Sequence, residues 1–419
     1  MTTRARGRLL VGVTAAVLGL VGCSALGTGT ADAPTPAASG PVTAGSSAPA
    51  SPSASPSGGG TTSPSATPSP TPSPSCTGLV ARLSPAERVG QLLMVAVTST
   101  DVSREQLAAV RDTRAGSVIL LGGTTAGVAG VQQVVGGIRD VAARPERVTV
   151  LLAADQEGGL VQRLQGPGFS DMPSAVRQAE LSGATLERRA ESWGDQLVRA
   201  GIDADLAPVA DVVPADLVDT NQPVGRLRRG YGSSPSVVAD KVVAFTTGMD
   251  DAGVATAVKH FPGLGRVRGN TDTTADVVDR VTTRDDKALQ GFRAAVDAGV
   301  DMVMVSSATY SRIDPRRLAV FSPVVVRGMI REDLGFDGVV ISDDLAATAV
   351  RQVPAGQRVV RFLGAGGDLA IVGNPAEART MAEALRSRAE RDPGFAALVD
   401  AAAGRVLAMK QRRGLADCG

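Results

Sequence analysis

The stretch "GVVISDDL", Gly338 to Leu345, sets three β-branched residues in a row directly before Ser342, Asp343 and Asp344. A run that is apolar at every position, not at alternate ones, fits a strand covered on both faces, as in a parallel sheet. Seven further runs of this kind stand along the chain: Gln91–Val97, Ser117–Leu121, Thr149–Asp155, Asp203–Val209, Thr256–Phe261, Met302–Ser307 and Leu369–Val372. Amphipathic stretches such as Thr185–Ala200 and Asp285–Ala298 lie between them. Ser84-Pro85-Ala86-Glu87 has the form of a capping box with proline at the first helical position, so a helix should begin there. Eight strand–helix units predict an α/β fold, a single-domain (β/α)8 TIM-like barrel. An open, doubly wound sheet is the alternative, and the fourth strand is its least marked member.

The ends of these runs carry the chemistry. The third run leads into Asp155, the fourth to Asp211, the fifth to Lys259 and His260, the sixth to Ser306 and Ser307, and the seventh to Asp343 and Asp344. In a barrel all these ends share one rim, where barrel active sites sit. One strand-end aspartate could simply cap the next helix; five polar ends converging exceed what capping requires.

Composition narrows the reaction. The formal net charge is +1, which leaves no broad basic surface for nucleic acid. Aromatic residues make up only 3% of the chain, which suits a small pocket better than a long polysaccharide cleft. One histidine and three cysteines do not furnish a zinc site, and no glycine-rich phosphate loop stands at a strand–helix junction. No metal and no cofactor are expected. Several carboxylates at one rim suit glycoside cleavage, which uses a nucleophilic carboxylate and a proton donor on opposite sides of the scissile bond.

"DQEGGLVQR" (Asp155–Arg163), "APVADV" (Ala207–Val212), "KHFPGLG" (Lys259–Gly265) and "SPVVVRGMIREDLGFDGVVISDDL" (Ser322–Leu345) resemble the motifs of family-3 glycoside hydrolases, closest to the single-domain bacterial β-N-acetylglucosaminidases. The resemblance runs in order from Leu83 to about Leu407. It implies Asp343 as nucleophile, with Asp155, Arg163, Asp211, Arg229, Lys259 and His260 at the sugar. It also implies terminal β-linked N-acetylglucosamine as the sugar removed, with GlcNAc–MurNAc fragments of peptidoglycan as partners.

The chain departs from the family at its histidines. The family's K-H-F-P-G-H-G has Leu264 at its second histidine here, Asn270-Thr271-Asp272 replaces D-S-H, and Ser307 replaces a substrate-contacting histidine. The D-S-H histidine is the branch's acid/base. Asp272 is therefore expected as general acid/base, oriented by Asn270, on a loop that closes over substrate. The rival readings are β-glucosidase specificity and a barrel that binds sugar without cleaving it.

Arg4, Arg6 and Arg8 precede an apolar run that ends in Leu20-Val21-Gly22-Cys23, which resembles a bacterial lipoprotein signal over residues 1–22 with Cys23 as the lipidated residue. Residues 23–75, rich in Ser, Pro, Thr, Ala and Gly, are expected to be a disordered stalk. Its reach is on the order of 40 Å as a coil and ~160 Å at full polyproline extension. The remaining cysteines, Cys76 and Cys418, bracket the barrel at 76–419, and a bridge between them is expected outside the cytoplasm. The protein is expected to be a monomer that meets the membrane through its lipid anchor alone.

Overall fold

The computed structural model describes residues 76–419; the leader, Cys23 and the stalk lie outside the described residues. Eight parallel strands form one sheet: Leu93–Thr98, Ser117–Leu121, Leu151–Ala154, Ala204–Asp205, Ala255–Phe261, Met302–Val305, Val339–Ser342 and Ala370–Val372. Each pairs with its neighbour in chain order, and the eighth pairs back onto the first, Leu93 opposite Ala370. A parallel bridge between Ile341 and Leu369 joins strands seven and eight and closes the ring. Closure makes this a barrel and excludes the open doubly wound sheet.

Alternation along the strands builds two cores. Met94 and Ala96, Ala255 and Ala257, and Val339 and Ile341 belong to one buried cluster inside the barrel. Val95 and Val97, Val258, and Val340 belong to the other, between sheet and helices. Successive side chains on a strand point to opposite faces, and both faces are covered, so every position must be apolar. The C-terminal helix Pro393–Arg412 contributes Val406 and Met409 to the inner cluster, and Leu415 joins them. The Leu415 carbonyl accepts from Thr149 N at 2.8 Å, just ahead of strand three, so the chain end packs on the rim opposite the strands' C-terminal ends.

A short helix, Thr77–Arg82, opens the described chain, and the helix expected after Ser84 runs Pro85–Gln91 with the capping box at Ser84 and Glu87. The helix expected over Thr185–Ala200 runs Gly183–Ala200, and the one expected over Asp285–Ala298 shortens to Gln290–Asp297 behind a 3-10 turn. The fourth strand keeps only Ala204–Asp205 of the run Asp203–Val209, with an isolated bridge from Val209 to Lys259. Pro208 has no N–H to give the ladder, which ends regular pairing there. A disulfide joins Cys76 to Cys418, with Cα atoms 4.9 Å apart. It ties the start of the described chain to its end.

Candidate active site

Strand three stops at Ala154, and the chain turns into a hairpin, Gln156–Gly158 against Val161–Gln162. The hairpin presents two acids two residues apart. Lys259, from the end of strand five, donates to Asp155 Oδ1 at 2.6 Å and lies 2.7 Å from Glu157 Oε1. Arg229 grips Glu157 with both arms of its fork, Nε at 2.8 Å and Nη2 at 2.7 Å, while Nη1 donates to the Pro223 carbonyl. Two buried cations thus meet two carboxylates, which is what makes burial of four charges tolerable. Burial by itself would raise the Glu157 carboxyl, but Arg229 and Lys259 hold it well below the usual range. Burial likewise works to discharge Lys259, and Asp155 and Glu157 keep it above its ordinary value.

His260 stands beside this cluster. Its Nδ1 is 2.7 Å from Asp211 Oδ2, and its Nε2 is 3.4 Å from Arg229 Nη2. A carboxylate offers only acceptors, so Nδ1 carries a proton toward Asp211, and Nε2 faces the site. Asp211 is also fixed from behind: its Oδ1 accepts from the backbone of His260 and of Leu264 at 3.2 and 2.8 Å. At 1% exposure it does not line the pocket. The expectation of Asp211 among the sugar ligands is thereby corrected: it orients His260. The same close fit explains a motif glycine, since a Cβ on Gly265 would come within 1.9 Å of the Val212 carbonyl oxygen.

Strand seven delivers Asp343 into the same pocket. Burial raises its carboxyl to about 6; His260 works to lower it, and Asp272 adds to the rise. A group with that value is still largely ionised at neutral pH and can act as a nucleophile. The neighbouring Asp344 is a brace: its Oδ1 accepts from Ala346 N at 2.7 Å and Gly373 N at 2.9 Å, joining the ends of strands seven and eight.

Asp272 is exposed on the loop after strand five and lines the same pocket. The loop is docked, with Thr348 N donating to Asp272 O and Ala349 N to Thr271 O at 3.2 and 3.1 Å. Asn270 acts differently from expectation. Its side-chain oxygen accepts from the Asp272 backbone N–H at 3.0 Å, so it shapes the turn that carries the acid and does not hold the carboxyl.

These groups surround a cavity of about 270 Å³. That is below the range for drug-sized ligands and suits a single sugar ring. Ile119, Leu206, Leu264 and Met304 supply apolar lining, and among the described residues no Phe, Tyr or Trp lines it. Arg163 is half-buried at the wall, and its guanidinium has no protein partner among the described residues. Ser307 is fully buried away from the lining, its hydroxyl without a hydrogen-bond partner among the described residues. The residue that sequence reasoning passed over is Glu157. Its signal was present: residues two apart on an extended segment share a face, which sets Glu157 beside Asp155.

The family model "Glycosyl hydrolase family 3 N terminal domain" matches residues 85–409. A beta-hexosaminidase of Stenotrophomonas maltophilia is 32% identical over 322 residues, covering 74% of this chain and 90% of that protein. The crystal structure of a β-N-acetylhexosaminidase from Beutenbergia cavernae superposes with a TM-score of 0.76 at 45% identity, covering 78% of this chain and 99% of that one. A family-3 β-N-acetylglucosaminidase from Paenibacillus sp. gives a TM-score of 0.71 at 29% identity, over 80% of this chain and 63% of that one. The chain belongs to glycosyl hydrolase family 3 and is a glycoside hydrolase, similar to the β-N-acetylhexosaminidases and β-N-acetylglucosaminidases of that family.

Proposed function

We propose that this protein is an exo-acting, retaining β-N-acetylglucosaminidase that removes terminal β-linked GlcNAc from GlcNAc–MurNAc fragments of peptidoglycan. The observation that carries the reading is that Asp343 and Asp272 line one pocket of single-sugar size. The relatives' activities support the choice of sugar. The lipoprotein-like leader and the Ser/Pro stalk support a site of action in the cell wall, with Cys23 as the membrane anchor.

Asp155, Glu157, Arg229, Lys259, His260 and Arg163 form the polar side of the site. In this reading Asp155, Arg163, Arg229, Lys259 and His260 hold the hydroxyls of the terminal sugar, and Glu157 holds Arg229 and Lys259 in place. An ionised Asp343 attacks the anomeric carbon while Asp272 gives its proton to the departing oxygen, leaving a glycosyl ester on Asp343. Asp272, now a carboxylate, takes a proton from water. The water oxygen bonds to the anomeric carbon, and Asp343 leaves as carboxylate, so two inversions give net retention. Docking of the Asp272 loop against Thr348 and Ala349 supports this role, because a loop ordered before substrate arrives lowers the cost of bringing an acid to the departing oxygen.

A test compares aryl β-N-acetylglucosaminide with aryl β-glucoside, using Asp343→Asn as control. The N-acetylglucosaminide should be hydrolysed with the β-anomer appearing first, and the control should be inactive. Preferential hydrolysis of the glucoside would overturn the choice of sugar, and an active Asp343→Asn would remove the nucleophile.

A further inference from the structure

Across the Asp272 loop from the sugar pocket lies a second cavity, of about 490 Å³. The two are separated by one pair of chain segments. Thr271 and Asp272 line the sugar pocket, Ala349 lines the second cavity, and Ala349 N donates to Thr271 O.

The charged lining of the second cavity is lopsided. Arg316, Arg317 and Arg361 border it, against Asp276 alone. Arg317 already faces Asp314 at 3.3 Å, and Arg361 meets only the neutral amide of Gln357. The guanidinium of Arg316 has no protein partner among the described residues. Leu318 and Phe321 add apolar surface to the same recess. Guanidinium forks free of carboxylates, set beside apolar surface, suit a ligand that carries its own carboxylate on a short aliphatic arm.

Position then gives the cavity a direction. In the mechanism above, Asp272 protonates the departing oxygen, so the leaving-group sugar rests against the Asp272 loop. We infer that the second cavity is a subsite for a carboxylate-bearing peptide arm on that leaving-group sugar, gripped by Arg316 and Arg361. An extended arm made of the lactyl unit of MurNAc and two residues spans about 10 Å, enough to cross one pair of chain segments. The inference rests on the glycosidase reading and on Asp272 marking the leaving-group side.

The test is calorimetric binding to the Asp343→Asn protein, which does not consume ligand. The probes are GlcNAc–MurNAc bearing an L-Ala–D-Glu arm and the same compound with its carboxylates amidated. At low salt the carboxylate form should bind about tenfold tighter. The preference should fall within about twofold in the added double variant Arg316→Ser/Arg361→Ser, and also at about 0.5 M NaCl, where exposed charges are screened. Equal affinity for the two probes in the parent protein would overturn the inference, as would a preference that survives the double variant. Failure to bind either probe would overturn it too. In an otherwise wild-type background the two arginine substitutions should leave aryl β-N-acetylglucosaminide turnover within about twofold. Lack of that turnover in the wild type counts against the glycosidase reading, whereas the binding ratio judges the subsite.

Discussion

Glu157→Gln tests the cluster that builds the sugar site. Glu157 is nearly inaccessible and holds Arg229 through two hydrogen bonds and Lys259 through an ion pair at 2.7 Å. The amide removes one of two negative charges, leaving Asp155 to face two buried cations. Breaking a buried pair in this way costs about 3–5 kcal/mol. Over about 340 residues the unfolding entropy is ~0.7 kcal/mol per degree, so the melting temperature should drop by about 4–7 °C at pH 7. The sign of the pH dependence follows from the depressed Glu157 carboxyl. Its contribution is complete above the unfolded carboxyl's value near 4.3 and is lost as pH falls below it. At pH 3.5 the deficit of the variant should therefore shrink by about 1 kcal/mol, or ~1.5 °C. The assay is thermal unfolding by circular dichroism at both pH values, with KM for an aryl glycoside as the functional readout. KM should rise, because Arg229 and Lys259 lose their shared anchor. A melting temperature within a degree of wild type, or a deficit that grows on acidification, would show that Glu157 does not anchor Arg229 and Lys259.

Two further predictions concern stability. Asp205 is fully buried, and among the described residues its carboxyl accepts only from Gln156 N and has one oxygen without a partner; burial raises it to about 8. It is neutral in the fold and ionised in the unfolded chain, so it weakens folding increasingly from about pH 4 to pH 8. Asp205→Asn should remove that slope, gaining up to about 4 kcal/mol at pH 7 and nothing from this source below pH 4; parallel melting curves across pH would sink this. Reducing the Cys76–Cys418 bridge, or replacing both cysteines by serine, should cost about 2–4 kcal/mol and lower the melting temperature by about 3–6 °C. An unchanged melting temperature on reduction would contradict it.

Much of the barrel is legible in the sequence, because burial on both faces forces unbroken apolar runs and eight of these are spaced by helical stretches. The strand lengths are less so: Pro208 cuts the fourth strand through a missing N–H, a local fact that the apolar pattern of Asp203–Val209 conceals. Strand-end residues such as Asp155, Lys259, His260 and Asp343 could be placed at one rim, since topology alone brings strand ends together. Partnerships across the rim could not. The Arg229–Glu157 fork joins residues 72 apart in sequence, and Asp211 turns out to face His260 from behind. Nor does any periodicity encode a loop contact such as Thr348 N to Asp272 O. The acidic hairpin pair Asp155 and Glu157 was readable by two-residue spacing, but only the fold reveals which cations answer it.

Asp272 is proposed to supply the proton that the histidine of the family's D-S-H, absent from this chain, would otherwise give. Kinetics of Asp272→Asn on two substrates test it most directly. On GlcNAc–MurNAc, whose leaving oxygen needs protonation, the variant should lose roughly 10²–10⁴ in kcat/KM. On a dinitrophenyl β-N-acetylglucosaminide, whose leaving group departs unaided, kcat/KM should fall less than about tenfold, with slow breakdown of the glycosyl-enzyme limiting kcat. Equal losses on the two substrates, or no loss on either, would contradict the account.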